Sequence, residues 1–241
     1  MRKYSVASVG LGLMVLALLS IAVVHAWAQD FKAILANPER PANERALDVV
    51  RKPEEMLKFY GVKPGDKVAD LVSSRGYYTA ILSQVVGEKG VVHSAHPTFR
   101  DETRERFKNS LYANVKLLEG GMGTVALPGD GSLDFVLINL DYHEVDPADR
   151  AAMNKKVFAA LKPGGVYGVV DHSAQDGAGD SVRKTLHRIE KALVVTEVTA
   201  AGFKLAKEGE MLKNPNDPRT ESVFKERGKS DRFVLRFEKP R

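Results

Sequence analysis

Apolar positions along this chain follow two alternating periods. Short continuous apolar runs, "KVADLV", "GVVHSA", "VKLLEG", "LDFVLINL" and "GGVYGVVDH", are separated by segments in which apolar residues recur every three or four positions: "YYTAILSQVVG", "RDETRERFKNSLY" and "PADRAAMNKKVFAAL". Continuous runs of strand length predict strands buried on both faces, and the longer period between them predicts helices. A further helical stretch is predicted from Ser181 to about Ala200. Five strands alternating with helices imply a mostly parallel sheet with helices on both faces, because right-handed crossovers place them there. The fold class is α/β.

The pattern changes at both ends. "GFKLAKEGEMLKN" reads as a strand, a polar loop rich in Pro and Asn follows, and "DRFVLRFEKP" sets Phe233, Leu235 and Phe237 on one side. Two strands with no helix between them can pair antiparallel. Ahead of the first strand, residues 29–60 form a helical lead-in whose short patterns are interrupted by Pro38, Pro41 and Pro53, each able to begin a helix but not to continue one. Residues 61–241 then form the main domain.

Residues 1–28 read as a signal peptide. Arg2 and Lys3 precede an uncharged apolar run from Val9 to Val24, and Ala26 and Ala28 stand where an A-x-A site requires small residues. Cleavage after Ala28 predicts an exported, periplasmic protein with no membrane attachment. The alternative is an uncleaved inner-membrane anchor, since the run approaches the roughly 20 residues that span a bilayer. The leader takes two positive charges with it, lowering the formal net charge from +5 to +3. The remaining Lys and Arg are spread along the chain, which argues against a nucleic-acid partner. With no Cys there is no disulfide and no thiolate chemistry.

The lead-in "ANPERPANERALDVVRKPEEMLKFYGVKPGDKV", the helix start "RGYYTAIL", the segment "LKPGGVYGVVDH" and the tail "MLKNPNDPRTESVF…RGKSDRFVLRFEKP" resemble a family of exported bacterial class I S-adenosylmethionine-dependent methyltransferase-like proteins. The resemblance covers nearly all of the chain after the leader. It implies a parallel sheet closed by a C-terminal antiparallel pair, S-adenosylmethionine as cofactor, and methyl transfer to an unidentified small-molecule or envelope substrate. Ligands of such sheets sit outside the carboxyl ends of the strands.

The resemblance assigns the cofactor to Asp70, Ser74, Gly76, Tyr78, His96 and Gly121, and three usual contacts are altered. The first loop of active enzymes runs acidic-x-Gly-x-Gly-x-Gly, so that backbone can approach the cofactor. Here it is Asp70-Leu71-Val72-Ser73-Ser74-Arg75-Gly76, a degenerate motif that keeps only the acid and the last Gly. His96 stands where a carboxylate grips the ribose, and a neutral imidazole accepts one hydrogen bond rather than two. Gly121 stands where an Asp accepts from adenine.

Methyl transfer from a sulfonium needs alignment and, for an O–H or N–H acceptor, a base. His143 and His172, with Asp171 beside them, are the catalytic candidates; the alternative is that both histidines shape the strand ends. The same residues are a plausible ligand set for a divalent ion, but no HExxH or HxH spacing is present, and no metal is assigned. His187 and Glu190, at helical i, i+3 spacing, are expected to form a surface pair. The altered motif also leaves open an inactive methyltransferase fold that binds another ligand, with Arg75 favouring an anionic one.

Overall fold

The computed structural model describes residues 30–225 and 227–241; the leader lies outside them. The lead-in forms α1 (Phe31–Ala36), α2 (Ala42–Arg45), α3 (Asp48–Arg51) and α4 (Pro53–Tyr60). There follow β1 (Lys67–Leu71), α5 (Tyr77–Val86), β2 (Val91–His96), α6 (Asp101–Arg106), β3 (Val115–Glu119), β4 (Leu133–Asn139), α7 (Pro147–Ala160) and β5 (Leu161–His172). The chain closes with α8 (Lys191–Ala200), β6 (Lys204–Gly209) and β7 (Arg232–Glu238).

These strands form one seven-stranded sheet in the order β3-β2-β1-β4-β5-β7-β6. β1 to β5 are parallel, while β7 inserts antiparallel between β5 and β6. The expected α/β class, parallel body and antiparallel closing pair are all present. Strand order reverses between β1 and β4, so the crevice for a ligand opens at their carboxyl ends.

Each face of the sheet carries its own core. Phe233, Leu235 and Phe237 of β7 pack with Val157 of α7 and Val194 and Val198 of α8, while Val234 packs on the opposite face with Ile81 and Leu82 of α5. This is the period-two alternation of a strand between two layers. The lead-in joins the second face through Phe31, Met56, Leu57 and Tyr60, all buried. Gly168 makes that possible, since a Cβ there would come within 2.8 Å of the Tyr60 ring. Among the described residues, no helix is long and apolar enough to cross a membrane.

Two predicted helices are shorter than expected, and the first, "RDETRERFKNSLY", is α-helical only over Asp101–Arg106 before a 3₁₀ turn at Ser110–Tyr112. In the second, the stretch from Ser181 to His187 forms turns, and the helix begins only at Lys191. Ile189 is drawn to the end of β5 instead, donating its N–H to the His172 carbonyl and accepting from Ala174 N–H. Those two strand-like bonds compete with helical bonds for the same backbone groups and win.

Candidate active site

A cavity of about 380 Å³ opens at the carboxyl ends of β1, β4 and β5. Asn43, Glu44, Leu47 and Arg51 of the lead-in line one side, and Val223 and Phe224 of the loop before β7 line another. The lead-in is fastened there by charge-assisted pairs. Tyr77 O–H donates at 2.6 Å to Asp48 Oδ1, which Arg40 holds from within the lead-in by a bidentate bond, and Arg106 bonds both oxygens of Glu44. Such forked pairs fix direction as well as distance.

The β1 side is a backbone device. In the run Asp70 to Gly76, positive φ occurs at Val72 (52°), Ser74 (52°) and Gly76 (82°), the three positions the acidic-x-Gly-x-Gly-x-Gly pattern gives to glycine. Only Gly adopts this region without strain. Gly76 is also needed for space, since a Cβ would meet the Phe107 ring at 2.4 Å. The glycine-loop conformation is thus retained with side chains attached, and Val72, Ser74 and Arg75 all line the cavity. Asp70 accepts from Thr79 Oγ1 at 2.6 Å, and burial raises its pKa to about 7.

The β4 and β5 side is a side-chain network. Asp171, fully buried, accepts from the backbone N–H groups of His143 (2.8 Å) and His172 (2.7 Å) and lies 2.8 Å from His143 Nδ1. Burial works to lower the His143 pKa, but the adjacent Asp171 charge and hydrogen bond raise it above the usual histidine value. His172, its Nδ1 2.7 Å from Ser230 Oγ, is lowered by burial to about 4 and is neutral at neutral pH. Asp141, which also lines the cavity, is raised to about 7 by burial and then by Asp171. The two rings lie 6.2 Å apart, and their environments push them toward opposite charge states.

His187 joins this network unannounced by the sequence. Glu190 accepts from Gly179 N–H instead of pairing with it, and His187, at φ 55°, sets Nδ1 2.7 Å from Glu144 Oε1. Nothing in its spacing signalled this, because the placement follows from Ile189 pairing with β5. Four of the six non-glycine residues with positive φ among those described, Val72, Ser74, Leu140 and His187, line the cavity. Strained backbone concentrates at functional sites.

Of the residues singled out from sequence, Asp70, Ser74, Tyr78, His143 and His172 line the cavity. Asp171 stands behind the two histidines. His96 reaches the loop rather than the cavity, its Nδ1 3.3 Å from Ser74 N, so it accepts the loop's N–H. Gly76 caps α5, and Gly121 begins a turn beyond β3, outside the cavity lining. Residues absent from that reading are Arg51, whose guanidinium lies 4.4 Å from the Tyr77 ring centre and faces the cavity, and Glu144.

With this geometry in view, the chain's likenesses agree. Residues 68–165 match a methyltransferase domain family. The ubiquinone/menaquinone biosynthesis C-methyltransferase of Pasteurella multocida is 32% identical over 116 residues, 47% of this chain and 42% of that protein. An uncharacterized methyltransferase of Synechocystis is 26% identical over 149 residues, covering 62% and 67%. The chain thus spans less than half the length of the first of these relatives. A SAM-dependent methyltransferase from Aquifex aeolicus superposes with a TM-score of 0.60 at 22% identity, over 88% of this chain and all of that one. Geranyl diphosphate C-methyltransferase from Streptomyces coelicolor gives 0.63 at 12%, over 86% and 84%. The fold is that of class I methyltransferases, and the matched domain and relatives support S-adenosylmethionine as the cofactor.

Proposed function

We propose that this chain is an exported class I methyltransferase that uses S-adenosylmethionine to methylate a small-molecule or envelope substrate. The observation that carries the reading is the β1 loop, which holds left-handed backbone at the three glycine positions of the cofactor motif although two of them are Val72 and Ser74. Strain of this kind persists only where the surroundings impose it, and here it preserves a surface shaped for a cofactor's approach.

His172 is the base in this reading. It is the neutral imidazole of the pair, and in the tautomer whose Nδ1–H donates to Ser230 Oγ its Nε2 is free to take the acceptor's proton. Asp171 is a positioning residue that sets both histidines. Turnover should fall on the acid side near pH 4, where His172 takes up a proton. A limb near pH 6.5 would move the role elsewhere.

Calorimetric titration of the protein with S-adenosylmethionine and S-adenosylhomocysteine tests the cofactor site, with Asp70→Ala beside it. Micromolar binding by the natural chain, lost in the variant, supports the proposal. Absence of binding favours a second reading, a non-catalytic anion-binding cavity, for which Arg51 and Arg75 on the cavity wall speak. Export rests on the leader pattern; a periplasmic form beginning at Gln29 is the expected product, and a membrane-bound chain retaining Met1 would be the anchored alternative.

A further inference from the structure

The donor atoms of His143, Glu144 and His187 converge on one point of the cavity wall. His143 Nε2 lies 3.2 Å from Glu144 Oε1, His187 Nδ1 lies 2.7 Å from the same oxygen, and all three donors fall within 4.8 Å of one another. Donors bonded to a common transition ion at about 2.0–2.2 Å stand roughly 3 Å apart. The arrangement therefore needs only a small opening at the His187 contact to admit one.

The surroundings of His143 are those of a metal ligand. Its Nδ1 faces Asp171 Oδ1 at 2.8 Å, which keeps a proton on Nδ1 and leaves Nε2, 3.2 Å from Glu144 Oε1, as the nitrogen that gives up its proton to bind an ion. A ligating histidine ordinarily gives its second N–H to a carboxylate in this way, and that carboxylate is itself held. Asp171 is held twice, by the backbone N–H groups of His143 and His172. His187 is fixed as well. The neighbouring Leu186 carbonyl accepts from Val223 N–H, the Phe224 ring lies 4.5 Å from its ring, and its backbone is left-handed.

We propose that His143, Glu144 and His187 form a binding site for a divalent first-row transition ion. Two imidazoles and one carboxylate suit zinc or iron(II) better than magnesium or calcium, which prefer all-oxygen shells. All three residues line the cavity, so positions left on the ion face the space where an acceptor substrate would lie. An oxygen- or nitrogen-bearing ligand could bind there directly. The site leaves His172 uncommitted and stands whether or not the chain transfers methyl groups.

Zinc alone is the probe. The purified, chelator-treated protein is titrated with Zn²⁺ by calorimetry, alongside Glu144→Gln and His187→Ala, two partly exposed positions whose replacement leaves the core untouched. One ion bound per chain is expected, with affinity reduced at least tenfold in either variant and visible ligand-field bands when Co²⁺ replaces zinc. Asp171→Asn should weaken binding about 10- to 100-fold. Thermal melting adds a second reading: Zn²⁺ should raise the Tm of the natural chain and not that of the variants. Absence of binding, or affinity unchanged by both Glu144→Gln and His187→Ala, would overturn the site. Neither result depends on S-adenosylmethionine, so failure here is separable from failure of the proposed activity.

Discussion

The two walls of the cavity are built on different principles. On the β1 side the information that faces the cavity is in the backbone: three left-handed residues, one bulky at Val72. On the β4 and β5 side it is in side chains, where Asp171, His143, Glu144 and His187 form a continuous chain of contacts at 2.7 to 3.2 Å. A loop can keep its path after losing its glycines, because neighbouring packing imposes φ at a cost of roughly 1–3 kcal/mol per strained residue. A polar network has no such tolerance, since removing one member strands its buried partner. The β1 wall can therefore drift in sequence without changing shape, while the opposite wall changes in chemistry with every substitution.

The sharpest test of that contrast is His172→Ala. If the β5 wall does the chemistry, turnover should drop by about 10²–10⁴-fold with little change in cofactor affinity. Equal turnover would make the network a structural one and erase the difference between the walls.

Asp70 gives the next effect. Its folded pKa of about 7 exceeds the ordinary value of 3.8, so the native state holds a proton that the unfolded chain releases. Stability from this group is complete below about pH 4, falls as pH rises through the window from 4 to 7, and levels off above it, by up to about 4 kcal/mol. Denaturant melts of Asp70→Asn should show a shallower decline across that window than the natural chain. An unchanged slope would mean that the carboxyl is ionised in place and that Arg51 compensates for its burial.

Ser74→Gly asks whether the β1 wall is strained at all. Ser74 is exposed and left-handed, so relief should exceed the added flexibility of glycine, and equilibrium unfolding should show a gain of about 1 kcal/mol. A loss would mean that the serine holds the loop by a contact worth more than its strain. The smallest expected effect is Arg75→Gly. Its guanidinium makes no hydrogen bond or ion pair among the described residues, and it should alter S-adenosylmethionine affinity by tenfold or less while leaving stability unchanged. A larger loss would show the arginine gripping the cofactor's carboxylate and would give the β1 wall a side-chain role after all.

Much was legible before any coordinates. Apolar runs between Val68 and Val170 specified a parallel sheet because strands buried on both faces have no polar side to show. The alternation of Phe233, Leu235 and Phe237 specified a closing strand with one uniform face. Asp70, Ser74, His143 and His172 were placed at the cavity because strand ends can be read from where apolar runs stop. What sequence could not supply was any contact that depends on how distant segments meet. His187 looked like one end of a helical surface pair, yet the bond from Ile189 to the end of β5 removed that helix and turned the ring toward Glu144. Arg51 belonged to a lead-in whose position over the cavity is set by the pairing of Glu44 with Arg106 and of Asp48 with Tyr77.

Periodicity is a local property, and it determined the elements, the layers and the strand ends at which the cavity opens. Convergence of side chains is a property of three-dimensional closure. Residues 143, 171 and 187 come from three separate segments, and only the registry of β4, β5 and the loop that follows brings their rings and carboxylates within bonding distance. The left-handed backbone at Val72 and Ser74 was likewise decided by tertiary packing, because no local preference of valine or serine would choose it.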